Sequence, residues 1–285
     1  MTVSIDSVDC VEPVISVRSN PERAAFVRRR LSMVAHQVHY DALSLVRNRT
    51  AQGFAFAMPV SFLVLFVAIF GNGTVHVDGQ AISGSTYYVA ALTVFGIVDV
   101  AFMALLIALV DVRETGVLRR RRATPQPAWT IVAGRALTTL LSGMIMAALL
   151  LAVGWLAYGA SVPLRAVPAL VASVALGVVV FSCLGFAVAG LVRSFDSAQP
   201  VAMAFALPLA FISGVFIPWA MIPHWLQQVS VVFPVRALAV GLLDPYLAGG
   251  PRSPWDPTAM AVLAGWGVLG AIVAVRLFRW APQDL

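Results

Sequence analysis

Few side chains in this 285-residue sequence have the types and spacing that chemistry requires. His36 and His39 stand three residues apart, but no Cys or carboxylate partner completes a metal site around them. His76 and His224 are isolated, and no Ser/His/Asp triad or carboxylate pair forms a recognisable catalytic set. The sequence therefore predicts no metal site, no cofactor site and no catalytic centre.

Two further residue types set limits on function. Cys10 lies in a polar tail and Cys183 in an apolar run, so neither a disulfide framework nor a CxxC site is expected. All 19 basic residues are Arg. A phosphate-binding loop of the form G-x-x-x-x-G-K-[ST] needs a Lys to reach the phosphates, so this chain cannot hydrolyse ATP through such a loop.

The amino-acid composition indicates which kind of secondary structure most of the chain forms. Hydrophobic residues make up 60% of the chain and charged residues 11%, with a mean hydropathy of +0.89. Ordinary soluble domains are about 25% charged, so several membrane-spanning helices are predicted. The net charge of +6 comes from arginines at the ends of apolar runs, where they set membrane orientation. We therefore expect no nucleic-acid partner.

The apolar runs predict an all-α integral membrane protein with six transmembrane helices. Residues 1–22 are polar and aperiodic, which predicts a disordered tail without a signal peptide. Residues 23–49 predict an amphipathic helix on the membrane surface, within a transmembrane domain that extends over 23–285. Each of the six runs is long enough to span, with approximate bounds 54–71, 86–110, 131–157, 166–191, 198–217 and 258–278.

Arginine placement predicts the orientation. With the N-terminus inside, all arginines except Arg165, Arg236 and Arg252 lie on the cytoplasmic side. This bias predicts that both termini are cytoplasmic. The Arg-only, Ala- and Val-rich composition suggests a bacterium, so the expected location is the bacterial plasma membrane.

One stretch, 214–242, is apolar but too divided to span. Pro218, Pro223 and Pro234 cut it into short pieces, which predicts a re-entrant helical pair between spans five and six. The alternative is an amphipathic surface loop.

Asp99 is the ionisable residue inside span two, roughly 18 Å from its cytoplasmic end by helical rise. It is either a pathway residue, as a contact for a cationic substrate or part of a gate, or a protonated or hydrogen-bonded packing residue between helices.

Three motifs carry a family resemblance. Residues 113–125 read R-E-x-G-x-L-R-R-x-x-A-T-P, and G-L-x-R-S precedes span five. Residues 213–227 read S-G-V-F-x-P-x-x-x-x-P-x-W-L-Q. Together they resemble the membrane subunit of type-2 ABC exporters, with daunorubicin-resistance permeases as the nearest type. Val235 and Arg236 depart from that pattern, because the family usually has a neutral aromatic or polar residue there.

The resemblance implies a permease without enzymatic activity of its own. ATP and Mg²⁺ would bind to a separate ABC ATPase, which docks on the loop after span two. A second permease copy or paralogue would complete a dimer in membrane lipid. The loop residues carried over from the family motif are Arg113, Glu114, Gly116, Leu118, Thr124 and Pro125. The arginines of this loop could instead act only as a positive-inside anchor.

The resemblance also implies a direction of transport and an outer gate. An amphipathic drug, lipid or glycolipid would move outward, and the stretch 214–242 would line its exit or act as a passive plug. The gate residues are Gly214, Phe216, Pro218, Pro223, Trp225 and Pro234. Two alternatives stay open: export of a polysaccharide or cell-wall precursor, and a non-transporting membrane scaffold or sensor.

Overall fold

A computed structural model describes residues 49–71, 73–77, 79–115, 128–247 and 253–277. Short 3-10 turns occur at Leu164–Ala166 and Trp219–Met221. The predicted tail and all but the last residue of the predicted surface helix lie outside the described residues. The regular elements are α1 Arg49–Phe70, β1 Thr74–Val77, β2 Gln80–Ser83, α2 Gly84–Glu114, α3 Ala128–Tyr158, α4 Val167–Leu191, α5 Phe195–Ile212, α6 His224–Ser230, α7 Pro234–Leu247 and α8 Pro257–Leu277.

Within the described ranges, five helices are long and apolar enough to cross a membrane: α2, α3, α4, α5 and α8. They fall on predicted spans two to six, because a helix satisfies its own backbone groups where lipid cannot. The apolar part of α1, Ala55–Phe70, is shorter, whereas the bent pair of α6 and α7 passes the same test as one unit. The chain is a multi-pass membrane protein, and the count of six spans stays a prediction.

Helix α2 is at the centre of the described structure. In its most apolar stretch 78% of the residues are buried, compared with 17% in α8. It packs against α1, α3, α4, α5 and α7. A helix that is apolar all round is typical of such an enclosed position. The other spans leave apolar faces exposed, as expected of helices that meet lipid or a partner subunit.

The prediction of an all-α chain was wrong between α1 and α2. Strands β1 and β2 form an antiparallel hairpin with Thr74 opposite Ser83 and Val77 opposite Gln80. The sequence contains the cause, since Asp78-Gly79 is a preferred two-residue hairpin connection between alternating apolar residues. Gly79 has a φ of 83°, which this turn requires and which glycine adopts without a Cβ clash.

A π-helical segment, Asp99–Ala104, interrupts α2 at its middle. Such segments insert an extra residue into a helix and shift the side chains that follow. Helix α4 approaches this segment closely at Gly185. A Cβ there would lie 3.3 Å from the carbonyl oxygens of both Ala101 and Phe102. This close approach favours glycine at position 185, because a Cβ there would require its neighbours to shift by a few tenths of an ångström.

Helices α6 and α7 form a bent pair within the stretch predicted to re-enter the membrane. Their axes differ by 94°, with the turn at residues 231–233. The Trp266 Nε1–H donates to the Val232 carbonyl at 2.7 Å, and the Trp266 ring stacks on Phe233. Trp266 lies nine residues into α8, about 14 Å from its start. The turn therefore lies near the level of the middle of α8, as expected of a re-entrant pair.

Candidate functional site

The end of α2 is attached to the corner between α4 and α5 through Arg113. Its side chain is only 4% exposed. Nη1 donates to the Ala189 carbonyl at 3.0 Å, and Nη2 donates to the carbonyls of Val192 and, at 3.4 Å, Arg193. The last carbonyls of a helix lack intrahelical donors, and a cation there is also favoured by the helix dipole. Arg113 therefore caps the C-terminal end of α4 from a different helix.

Glu114 makes the opposite contact on the adjacent helix. Its Oε1 accepts the backbone N–H of Phe195, the first residue of α5, at 2.8 Å. The N-cap residue Ser194 makes no capping bond with its own side chain. A carboxylate is favoured at a helix N-terminus, where free N–H groups point outward. We call Arg113, Glu114 and their backbone partners at 189–195 the clasp.

The clasp joins two motifs that are far apart in the sequence. Arg113 and Glu114 begin the motif of the predicted ATPase-docking loop, and Val192 and Arg193 belong to the G-L-x-R-S motif before span five. The sequence did not predict that these motifs touch, because nothing local links positions separated by 76 to 81 residues. Of the other predicted loop residues, Gly116, Leu118, Thr124 and Pro125 lie outside the described residues.

At the opposite end of α2, Tyr87 holds the start of the predicted gate. Its hydroxyl donates to the Gly214 carbonyl at 2.5 Å. Gly214 has a φ of 85°, a left-handed conformation in which a Cβ would also lie 3.2 Å from that hydroxyl. The Arg236 guanidinium lies over the Trp219 ring, 3.5 Å from its centroid. These four residues form one contact group at the ends of α2, α5 and α7, which we call the outer cluster.

Phe216, another predicted gate residue, is part of an aromatic core. Its ring lies 5.0 Å from Phe211, 5.2 Å from Phe95, 5.7 Å from Phe66 and 6.2 Å from Phe62, measured between centroids. Only 8% of the Phe216 surface is exposed. Aromatic pairs at these separations add to the stability gained from burial. Phe216 therefore fastens the stretch after α5 to α1 and α2.

The remaining predicted gate residues mark boundaries of short helices. Pro218 precedes the 3-10 turn, Pro223 precedes α6, and Pro234 begins α7, as its fixed φ favours. Trp225 is 66% exposed on α6. The structure thus brings Gly214 and Phe216 against α2 but leaves Trp225 on the surface. A role for these residues as a gate stays a prediction.

Asp99 is the first residue of the π-helical segment and is half-buried. It lies 15 residues from the end of α2, rather than the 12 expected, because α2 extends to Glu114. Its role in a pathway stays a prediction. Among the described residues no group of three His, Cys, Asp or Glu side chains could hold a metal ion.

A comparison with known protein families covers the part of the chain that contains these groups. The family model for the ABC-2 type transporter matches residues 38–247, a range that includes the clasp, the outer cluster and the bent pair. No curated protein gives a match to the chain. Membrane domains of this family are transport permeases that work with an ABC ATPase, typically as dimers, and are not catalytic themselves. Because the match spans most of the sequence, the chain belongs to the ABC-2 type transporter family and is a permease of an ABC transporter.

Proposed function

We propose that this chain is the permease of an exporter, similar to daunorubicin-resistance permeases, that moves an amphipathic drug, lipid or glycolipid out of a bacterial cell. A separate ABC ATPase, which binds and hydrolyses the ATP, docks on the coupling loop that contains Arg113, Glu114, Gly116, Leu118, Thr124 and Pro125. The chain pairs with a second copy or a paralogue in the plasma membrane, with both termini in the cytoplasm. The clasp is the observation that carries this proposal.

The clasp connects the predicted docking loop to three helices: α2, α4 and α5. Arg113 and Glu114 are the first residues of the predicted docking motif, and the part of the loop that follows Thr115 lies outside the described residues. A displacement of that loop therefore moves the end of α2 together with the C-terminus of α4 and the N-terminus of α5. A charged pair with only an anchoring role would need membrane headgroups, not specific caps on two neighbouring helices.

Helices α2 and α5 are also joined at their other ends. Glu114 bonds the first residue of α5, and Tyr87 bonds Gly214, two residues after α5 ends. The two helices therefore move as one unit, and a change at the cytoplasmic end reaches the outer cluster without passing through lipid. On this basis we assign Gly214, Phe216, Pro218, Pro223, Trp225 and Pro234 to the outer gate.

An amphipathic cargo is favoured over a polysaccharide by a cavity of about 170 Å³ beside the turn of the bent pair. Aliphatic and aromatic side chains from α2, α4, α5, α7 and α8 line it. A polysaccharide chain needs hydrogen-bonding groups along its path, whereas an acyl chain or a fused-ring drug needs apolar surface. Asp99 does not line this cavity, although its neighbour Val98 does.

The test uses the permease purified with its ABC ATPase in lipid nanodiscs. We expect Glu114→Ala to reduce drug- or lysolipid-stimulated ATP hydrolysis by about fivefold or more, the scale of a typical coupling free energy. Asp111→Ala is the matched control, because Asp111 is an exposed carboxylate one turn earlier on the same helix. If Glu114→Ala and Asp111→Ala assemble and hydrolyse ATP as the parent complex does, the proposed coupling is wrong.

A further inference from the structure

The cavity of about 170 Å³ beside the turn of the bent pair has a wall rich in aromatic rings. Five of its lining side chains are aromatic: Phe102, Phe181, Phe205, Phe233 and Trp266. The other seven described residues that line it are Val, Leu, Ala or Pro. We call this volume the aromatic cavity.

The wall of the aromatic cavity offers no hydrogen bond to a ligand. Trp266 carries the one polar side-chain atom among the described lining residues, and its Nε1–H already donates to the Val232 carbonyl at 2.7 Å. A charged or hydrogen-bonding group placed here would lose its hydration without compensation. The part of a ligand that enters the cavity is therefore neutral and apolar.

The size of the cavity suits one small ring system. An apolar cavity of about 150 Å³ stays free of water and binds benzene in another protein. Sites for whole drug-sized molecules usually have about 300–1,000 Å³, which is more than this cavity provides. The aromatic cavity therefore accommodates the ring-shaped part of a larger amphiphile, with the remainder outside it.

The aromatic wall distinguishes between an aromatic ring and an acyl chain. Rings in contact gain stability beyond that of burial, through stacked or edge-to-face arrangements. Phe233 and Trp266 already form such a stacked pair, with 6.3 Å between their centroids. A saturated group of the same size gains only from burial. The wall therefore favours an aromatic ligand.

The cavity extends from the surface of the bundle to its central helix. Phe205 on α5 is 53% exposed, whereas Val98 and Phe102 on α2 are buried. Phe205 lies ten residues into α5, which places it about 15 Å from the start of that helix. This depth is within the hydrocarbon of a membrane span. An apolar ligand dissolved in the bilayer reaches Phe205 without passing through water.

A ligand in the aromatic cavity contacts every helix that the clasp joins. Side chains from α2, α4 and α5 line the cavity, and Phe233 and Pro234 add the turn of the bent pair. Val188, on the wall from α4, directly precedes Ala189, whose carbonyl accepts a hydrogen bond from Arg113. Occupancy of the cavity and the position of the clasp therefore depend on the same three helices.

We propose that the aromatic cavity is a binding site for a neutral aromatic group of one ring or two fused rings. This inference rests on the proposed export function and narrows its cargo to an amphiphile that carries such a group. The competing occupant is the acyl chain of a membrane lipid, which the test must distinguish from an aromatic ring.

The test compares bromobenzene with bromocyclohexane, which have the same number of carbon atoms and differ in aromaticity. Each is titrated into the full-length chain in dodecyl maltoside, at equal concentrations in the detergent phase. Bromine quenches tryptophan fluorescence on contact, and the Trp266→Phe variant gives the quenching of the other tryptophans. We expect bromobenzene to bind at Trp266 about threefold or more tightly than bromocyclohexane, as one additional ring contact allows.

Two variants assign the binding to the aromatic cavity. Phe205→Leu removes one ring and keeps an apolar side chain, so it should weaken bromobenzene about twofold or more and leave bromocyclohexane nearly unchanged. Phe70→Leu is its matched control, because Phe70 is similarly exposed, at 49%, and lies at the end of α1 outside the cavity. Ala206→Leu adds a larger side chain to the wall and should weaken both ligands about tenfold.

Equal affinity of the parent protein for the two ligands would overturn the inference. So would an identical ligand preference in Phe205→Leu and Phe70→Leu. A melting curve shows that each variant is folded, and the phenylalanine pair decides alone if Ala206→Leu is unstable. Selective binding of bromobenzene without ATP-dependent transport of any amphiphile by the complex would refute the export proposal and leave the site intact. Transport of amphiphiles with equal affinity for the two ligands would refute this site alone.

Discussion

Replacing Arg113 with Met tests whether the clasp holds the ends of α2 and α4 together. Methionine keeps an apolar stem of similar length, so the change removes chiefly the three hydrogen bonds to Ala189, Val192 and Arg193. The contact to Arg193 is the longest and contributes least. Bonds from a charged donor contribute about 1.5–3 kcal/mol each, so loss of the two shorter bonds should lower the free energy of unfolding by about 3–6 kcal/mol.

The assay is thermal unfolding of the full-length chain in detergent at one heating rate, because membrane proteins commonly unfold irreversibly. For a chain of this size, 1 kcal/mol corresponds to about 2–4 °C, which predicts a decrease of roughly 6–24 °C in the unfolding temperature. The control is Arg193→Met. It removes an exposed arginine side chain from the same corner while its backbone carbonyl remains in place.

A similar unfolding temperature for Arg113→Met and Arg193→Met would refute the view that the buried guanidinium holds this corner. Arg113→Lys refines the result. A single ammonium cannot reproduce the planar guanidinium that reaches carbonyls on separate residues, so it should recover less than the full stability. Full recovery by Lys would mean that charge at the end of α4, and not the geometry of the bonds, is what matters.

Two further substitutions address the outer half of the molecule. Gly214→Ala places a Cβ beside the Tyr87 hydroxyl on a residue in the left-handed conformation. This change should reduce the free energy of unfolding by about 1–2 kcal/mol, which is measured as a lower unfolding temperature. Gly265→Ala is the control, because open space surrounds Gly265 and the change should be neutral or stabilising. Equal changes in unfolding temperature for the two variants would show that an alanine at position 214 is not strained. Trp266→Phe keeps an aromatic ring but removes the hydrogen-bond donor to the Val232 carbonyl. A cysteine placed at position 232 should therefore be alkylated faster in the Trp266→Phe variant than in the parent protein. An unchanged alkylation rate would show that the hydrogen bond does not hold the turn in place.

The membrane helices follow from the sequence because lipid imposes so strong a constraint. An apolar run of about 20 residues has few alternatives to a helix in hydrocarbon, and predicted spans two to six coincide with α2, α3, α4, α5 and α8. Prolines likewise marked the boundaries of the short helices, since Pro223 precedes α6 and Pro234 begins α7. The hairpin was equally local and was missed, although Asp78-Gly79 carries its signal.

The sequence predicted some residues of the candidate site but not the contacts that they make. The motif at Arg113 and Glu114 indicated a docking loop through family resemblance, but not that both side chains cap other helices. Likewise, Gly214 was assigned to a gate without its partner Tyr87, 127 positions earlier. The π-helical segment in α2 contains no proline or glycine within Asp99–Ala104, so no local signal for it is present in the sequence.

By itself, therefore, the sequence determined that this chain is a helical multi-pass membrane protein, and that it contains no phosphate-binding loop of the form G-x-x-x-x-G-K-[ST]. Each of these depends on composition, or on residues near one another in the chain. Tertiary structure alone decided that α2 is the buried axis, that Arg113 and Glu114 cap α4 and α5, and that Tyr87 bonds Gly214. Those contacts depend on how complete helices pack. A capping side chain or a hydroxyl bonds to whichever group lies near it after folding, and this choice of partner leaves no periodic pattern in the sequence.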